Sequence, residues 1–161
     1  MDLTPATVRQ ERAWVTGRAD RLVALINEVR GDLGKRFGVD VGTVEPAEFR
    51  AEVDAVFDDG DVAVNVAALV GLLRELDVEG DYPGFVVDEF LGRELAGAIA
   101  GGQPLRLLAE ATFHYADVHV RGSADDAAGL DDLDAALAAG FQTRLPGWGW
   151  REGESPFGPE R

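Results

Sequence analysis

Cysteine is absent from the 161 residues, and its absence removes disulfides, thiolate zinc sites, iron–sulfur clusters and cysteine nucleophiles together. Other reactive side chains are scarce: the chain has two histidines, His114 and His119, and two serines, Ser123 and Ser155. Positive charge is also in short supply. Fifteen basic residues, all arginine except Lys35, face thirty acidic ones, for a net charge of −15. That is the wrong sign for a generic binder of nucleic acid or anionic membrane. Long apolar runs are missing too. Met1 to Trp14 offers no signal-peptide stretch, and the most apolar region, Phe85 to Ala100, is interrupted by Asp88, Glu89, Arg93 and Glu94. Charges at that density are expensive in a bilayer core. These absences lead us to expect a cytoplasmic protein whose partner is neither nucleic acid nor a membrane.

What is present fits one globular domain. Hydrophobic residues make up 46% and charged residues 28%, a composition able to build a single core at this length. The charge is unevenly placed: residues 1–50 sum to zero, residues 51–100 to −10 and residues 101–161 to −5. A solvated, solubilising face explains such a block, and docking of a basic protein partner is the functional alternative.

Helical periodicity dominates. Thr4-Pro5 reads as a cap with proline in the first turn. Val15, Ala19, Leu22, Ile26, Val29 and Leu33 follow in steps of four and three, predicting one long amphipathic helix that ends near Gly31, Gly34 or Gly38. Val39 to Val44 reads as a turn or short extended piece. Pro46 opens a second helix, stopped by Asp58-Asp59-Gly60, and a third runs from Asp61 to about Leu76. After a turn at Asp81-Tyr82-Pro83-Gly84, a fourth spans Phe85 to Ala100 and a fifth runs from Pro104 to Arg121, although its β-branched and aromatic residues leave a strand open over residues 111–120. Ser123 to Asp126 resembles a capping box for a sixth helix, which ends at Gly140 in a left-handed cap. The expectation is an all-α, single-domain bundle of five to six helices over residues 1–140. Residues 141–161 follow as an irregular, aromatic C-terminal arm packed on the bundle or on a partner.

One constellation invites metal chemistry. On a helix, Glu110, His114 and Asp117 fall within about 60° of one another. Arg106 and Arg121 share that face at ion-pairing distance, however, and His119 points about 140° away from His114, toward the core. The spacing matches neither a di-iron bundle nor a zinc peptidase. Asp58 to Asn65 fails as a calcium loop because apolar residues occupy ligand positions. Arg30-Gly31-Asp32, read as a helix end, carries no weight. No cofactor and no metal are expected.

The arm is different. Its 21 residues hold four glycines and three prolines, yet also Phe141, Trp148, Trp150 and Phe157. A solvated linker lacks such aromatics. Either Leu145, Trp148 and Trp150 seal an apolar groove of the chain's own bundle, or the arm is a recognition segment in which Arg144, Trp148, Trp150, Arg151 and Phe157 contact a partner, since tryptophan and arginine dominate binding energies. The leading functional expectation is a non-enzymatic accessory or adaptor protein acting through another protein or through self-association into a homo-oligomer. The alternatives are a metal-dependent enzyme using Glu110 and His114, and a small-ligand-binding bundle recognisable by a deep apolar pocket with a few polar groups.

Overall fold

The computed structural model describes residues 1–76, 86–120 and 128–149. Among these residues there are helices but no strand: α1 (Pro5–Gly17), α2 (Ala19–Phe37), α3 (Pro46–Asp58), α4 (Gly60–Glu75), α5 (Val87–Ala100), α6 (Leu105–Asp117) and α7 (Ala128–Gln142). The all-α expectation holds, with seven helices rather than five or six. The extra one comes from the first segment, where the seven-residue spacing of apolar residues conceals a break at Gly17-Arg18. Arg18 leaves the helical region at φ −94°, ψ 6°, and its N–H donates to the Val15 carbonyl at 3.1 Å in a tightened turn. The break has a tertiary partner. The Arg18 guanidinium grips both oxygens of the buried Asp134 on α7, at 2.9 and 2.6 Å, and Arg21 reaches the same carboxylate at 3.0 Å. Trp14 lies against the guanidinium groups of both Arg18 and Arg74.

Local capping sets the other starts. The Thr4 hydroxyl accepts from the Thr7 N–H at 3.2 Å, with Pro5 in the first turn. Glu45 and Glu48 form a reciprocal capping box ahead of α3, and Asp59 caps α4. The capping box expected at Ser123 to Asp126 and the turn at Asp81 to Gly84 lie outside the described residues. α6 stops at Asp117, four residues earlier than expected, and Val118 and His119 form a turn; the segment open to a strand is helix as far as Asp117.

α7 is the central element, packing on α2, α3, α4, α5 and α6. Leu133, Ala135 to Ala139 and Phe141 are all buried, so α7 is apolar around its circumference from Ala135 to Phe141, as a helix enclosed by others must be, while the buried Asp132 and Asp134 lie before that stretch. Gly140 was expected to end it in a left-handed conformation and does not. It sits inside the helix where α5 approaches so closely that an added Cβ would lie 2.9 Å from the Ile99 Cβ and 3.0 Å from the Ala96 carbonyl oxygen. α7 continues to Gln142, and beyond it Leu145 and Trp148 are buried too. Among the described residues no helix is long and apolar enough to cross a membrane.

Candidate functional site

Arg30, discounted in the sequence, organises the most distinctive region of the surface. It lies inside α2 rather than at its end and is 1% exposed. Its guanidinium donates to four backbone carbonyls: Gly42 at 2.7 Å, Pro146 at 2.6 Å, Gln142 at 3.0 Å and Leu145 at 3.3 Å. The two terminal nitrogens together serve four acceptors on two chain segments, one more than the three N–H groups of a lysine could serve. It ties the segment after α7 to the loop after α2. The same two segments also meet directly, Gly42 donating to the Gly147 carbonyl at 3.0 Å. That approach requires glycine: Gly147 has φ +104°, and a Cβ there would lie 2.8 Å from the Gly42 oxygen. Asn27 fixes the other end of the loop, donating to and accepting from Val44 at 3.0 and 2.9 Å.

This frame places Trp148. Its ring packs against the Arg30 guanidinium at 5.1 Å, and its Nε1–H donates to the Gln142 carbonyl at 3.0 Å. Trp148 then forms one wall of a groove of about 420 Å³. Leu33, Arg36 and Phe37 line it from the end of α2, Val39 and Val41 from the following loop, and Leu108, Ala111, Thr112 and Tyr115 from α6. The lining is overwhelmingly apolar, and the lip carries Phe37, 73% exposed, and Val39, 54% exposed.

One end of the groove is polar and internally satisfied. The Tyr115 hydroxyl donates to Asp32 and accepts from the Arg36 guanidinium at 2.8 Å. Arg36 also pairs with Asp32 at 3.3 Å, and His119 Nε2 lies 3.5 Å from the same carboxylate. The Tyr115 hydrogen bond, helped by Arg36, holds the Asp32 carboxyl below its usual range. Desolvation and the Asp32 bond push the Tyr115 hydroxyl up. With its charges paired among themselves, the groove suits uncharged apolar groups.

The expected partner-binding residues fall in different places. Trp148 is a groove wall. Arg144 is turned into the bundle, donating to Glu52 at 2.9 Å and to the Ile99 carbonyl at 3.3 Å. Trp150, Arg151 and Phe157 lie outside the described residues. Among the metal candidates, Glu110 pairs with Arg106 at 3.1 Å, while His114, half-exposed, faces Glu89 on α5 at 3.0 Å. His119 is largely buried, with Nδ1 2.8 Å from the Tyr115 carbonyl oxygen. Behind them a carboxylate cluster joins α5, α6 and α7. Burial, a hydrogen bond with Asp88 and the charge of Asp117 push Asp132 up to about 8. Burial and the charge of Asp131 raise Asp117. Among the described residues no set of three or more such side chains could hold a metal ion.

Sequence reasoning missed Leu33, Arg36, Phe37, Val39 and Val41 as groove residues, although one signal was present. Val39 and Val41 alternate with Asp40 just after a helix whose last apolar residue, Phe37, has no inward position left.

A family model, described as domain of unknown function (DUF7984), matches residues 1–161. The chain belongs to this family. No curated protein and no solved structure matches it.

Proposed function

We propose that the protein is a non-enzymatic accessory or adaptor module that takes up apolar side chains of a protein partner in the groove between α2 and α6. The observation that carries the reading is the groove itself: about 420 Å³ of apolar space, with Trp148 braced into its wall by Arg30 and with Phe37 exposed at its lip. A buried arginine whose hydrogen bonds hold the backbone on either side of the groove and whose guanidinium lies against Trp148 supports a preorganised surface, which lowers the ordering cost of binding. Aromatic anchors in such pockets are where interfaces concentrate their energy. A small apolar ligand is the second reading, favoured by a volume within the range of about 300–1,000 Å³ typical of ligand clefts. The metal-enzyme reading draws no comparable support, because Glu110 and His114 are engaged with Arg106 and Glu89 respectively.

The test is to identify a co-purifying protein by mass spectrometry, then measure its affinity for the purified wild-type chain and for Ala111→Arg. Ala111 is exposed on the groove's α6 wall, so an arginine there charges the groove with little demand on the fold. Affinity should fall by about tenfold or more. A partner that binds both proteins equally well contradicts the assignment.

A further inference from the structure

We propose that the groove between α2 and α6 and a small polar cavity beside it form one site for a ring bearing a single hydroxyl, the tyrosine side chain of a protein partner. This rests on reading the groove as a binding surface and names the chemistry of the group that enters it.

The cavity lies between α2, α6 and α7 and holds about 10 Å³, room for about one water-sized group. Its walls are aliphatic apart from Arg30, Thr112 and Gln142. Thr112 borders the groove as well. The other two hold the groove's Trp148 wall in place: the Arg30 guanidinium lies against the Trp148 ring, and the Gln142 backbone carbonyl accepts from the Trp148 Nε1–H. The two spaces therefore share Thr112 and meet at Trp148.

Gln142 is the feature that points to a ligand. It is 3% exposed, and among the described residues neither its carboxamide oxygen nor its nitrogen has a hydrogen-bond partner. An unpaired buried amide destabilises a fold, and an aliphatic side chain of similar size in its place would not. Thr112 does not answer it, because its hydroxyl donates to the Leu108 and Ala109 carbonyls at 2.9 and 3.3 Å. One incoming hydroxyl does, donating to Oε1 and accepting from Nε2–H at once. A carbonyl cannot donate, and a carboxylate brings two oxygens to a space for one. The groove supplies the other half of the specificity, with an apolar lining and the rings of Trp148 and Tyr115 for an aromatic body. A phenol fits both halves. A phenylalanine ring leaves the amide unpaired, and a serine leaves the groove empty.

Equilibrium dialysis of naphthalene and 2-naphthol against the full-length protein and its Gln142→Leu variant tests this. The proposal expects 2-naphthol to bind the wild-type chain at least about tenfold more tightly than naphthalene. That preference should vanish in Gln142→Leu while naphthalene affinity is retained. Equal affinities for the wild-type chain overturn the proposal and leave the amide to a buried water; a preference that survives in Gln142→Leu overturns it by placing the hydroxyl elsewhere. Competition reads the source of the phenol. N-acetyltyrosinamide should displace 2-naphthol at concentrations where N-acetylphenylalaninamide does not. Displacement by neither overturns the tyrosine assignment in favour of a free phenol. Failure of the underlying reading has its own signature: neither naphthalene nor 2-naphthol would bind either protein saturably.

Discussion

Replacing Arg30 with methionine tests whether the groove wall depends on one buried guanidinium. Methionine keeps most of the apolar stem and removes every donor. The Gly42, Pro146, Gln142 and Leu145 carbonyls lose a charged donor together, and Trp148 loses the cation against its ring. The Gln142 carbonyl keeps the Trp148 Nε1–H; for the Gly42 and Pro146 carbonyls, the two shortest bonds are lost. The buried Leu145 carbonyl and the lost cation against the Trp148 ring account for most of the cost, at about 1–3 kcal/mol and about 1–2 kcal/mol, while the Gly42 and Pro146 carbonyls, on exposed residues, can turn to water and relief from burying a charge offsets part of the sum. A net loss of about 3 kcal/mol lowers the melting temperature by roughly 6–12 °C for a chain of this size. Arg30→Lys should fall between, because an ammonium has three N–H groups for four carbonyls and no planar face to set against the Trp148 ring. Thermal unfolding followed by circular dichroism gives the stability. Fluorescence in a Trp14→Phe/Trp150→Phe background isolates Trp148, whose emission should shift toward that of indole in water. An unchanged melting temperature with unshifted emission would refute the assignment of Arg30 as the brace of the wall.

Three further outcomes are expected. The folded state holds a proton on Asp132 that the unfolded state releases between about pH 4 and pH 8, so stability falls as pH rises through that window. Asp132→Asn should flatten this slope and melt higher than wild type above pH 8, while matching it near pH 4; parallel stability curves would show that Asp132 ionises normally amid Asp88, Asp117, Asp131, Glu89 and His114. Among the described residues the buried Gln142 carboxamide has no hydrogen-bond partner for either end, so Gln142→Leu, which keeps the backbone carbonyl used by Arg30 and Trp148, should stabilise by about 1 kcal/mol or more. A lower melting temperature would contradict this. Gly140→Ala gains about 1 kcal/mol in helix propensity but forces a methyl onto Ile99 and the Ala96 backbone, so calorimetry should show a net loss from overpacking of about 1–3 kcal/mol.

Helix positions were legible where caps and periodicity agreed: Pro5 and Pro46 mark real starts, α4, expected from Asp61, begins at Gly60, and the apolar face of α2 lies where the steps of three and four put it. The break at Arg18 was hidden because the partner of its side chain is Asp134, 116 residues away, and local pattern does not report a long-range ion pair. Gly140 misled for the same reason. A glycine near the end of a pattern suggests a cap, yet here it is needed for the approach of α5. Trp148, singled out among the tail's aromatics, lines the groove, but the residues that complete its surroundings come from α2, α6 and the Val39 loop, elements brought together only by the fold. Arg30 was the largest omission, since nothing in sequence distinguishes a buried arginine chelating carbonyls from a solvated one.

The central claim is that the space between α2 and α6 receives apolar groups, and titration with a neutral, polarity-sensitive naphthalene probe addresses it most directly. The full-length protein serves as the host. The account predicts saturable binding at one site with a blue-shifted emission, abolished when Ala111→Trp fills the groove from its α6 wall while leaving the melting temperature near that of the host. Undiminished probe binding in the Ala111→Trp protein would contradict it.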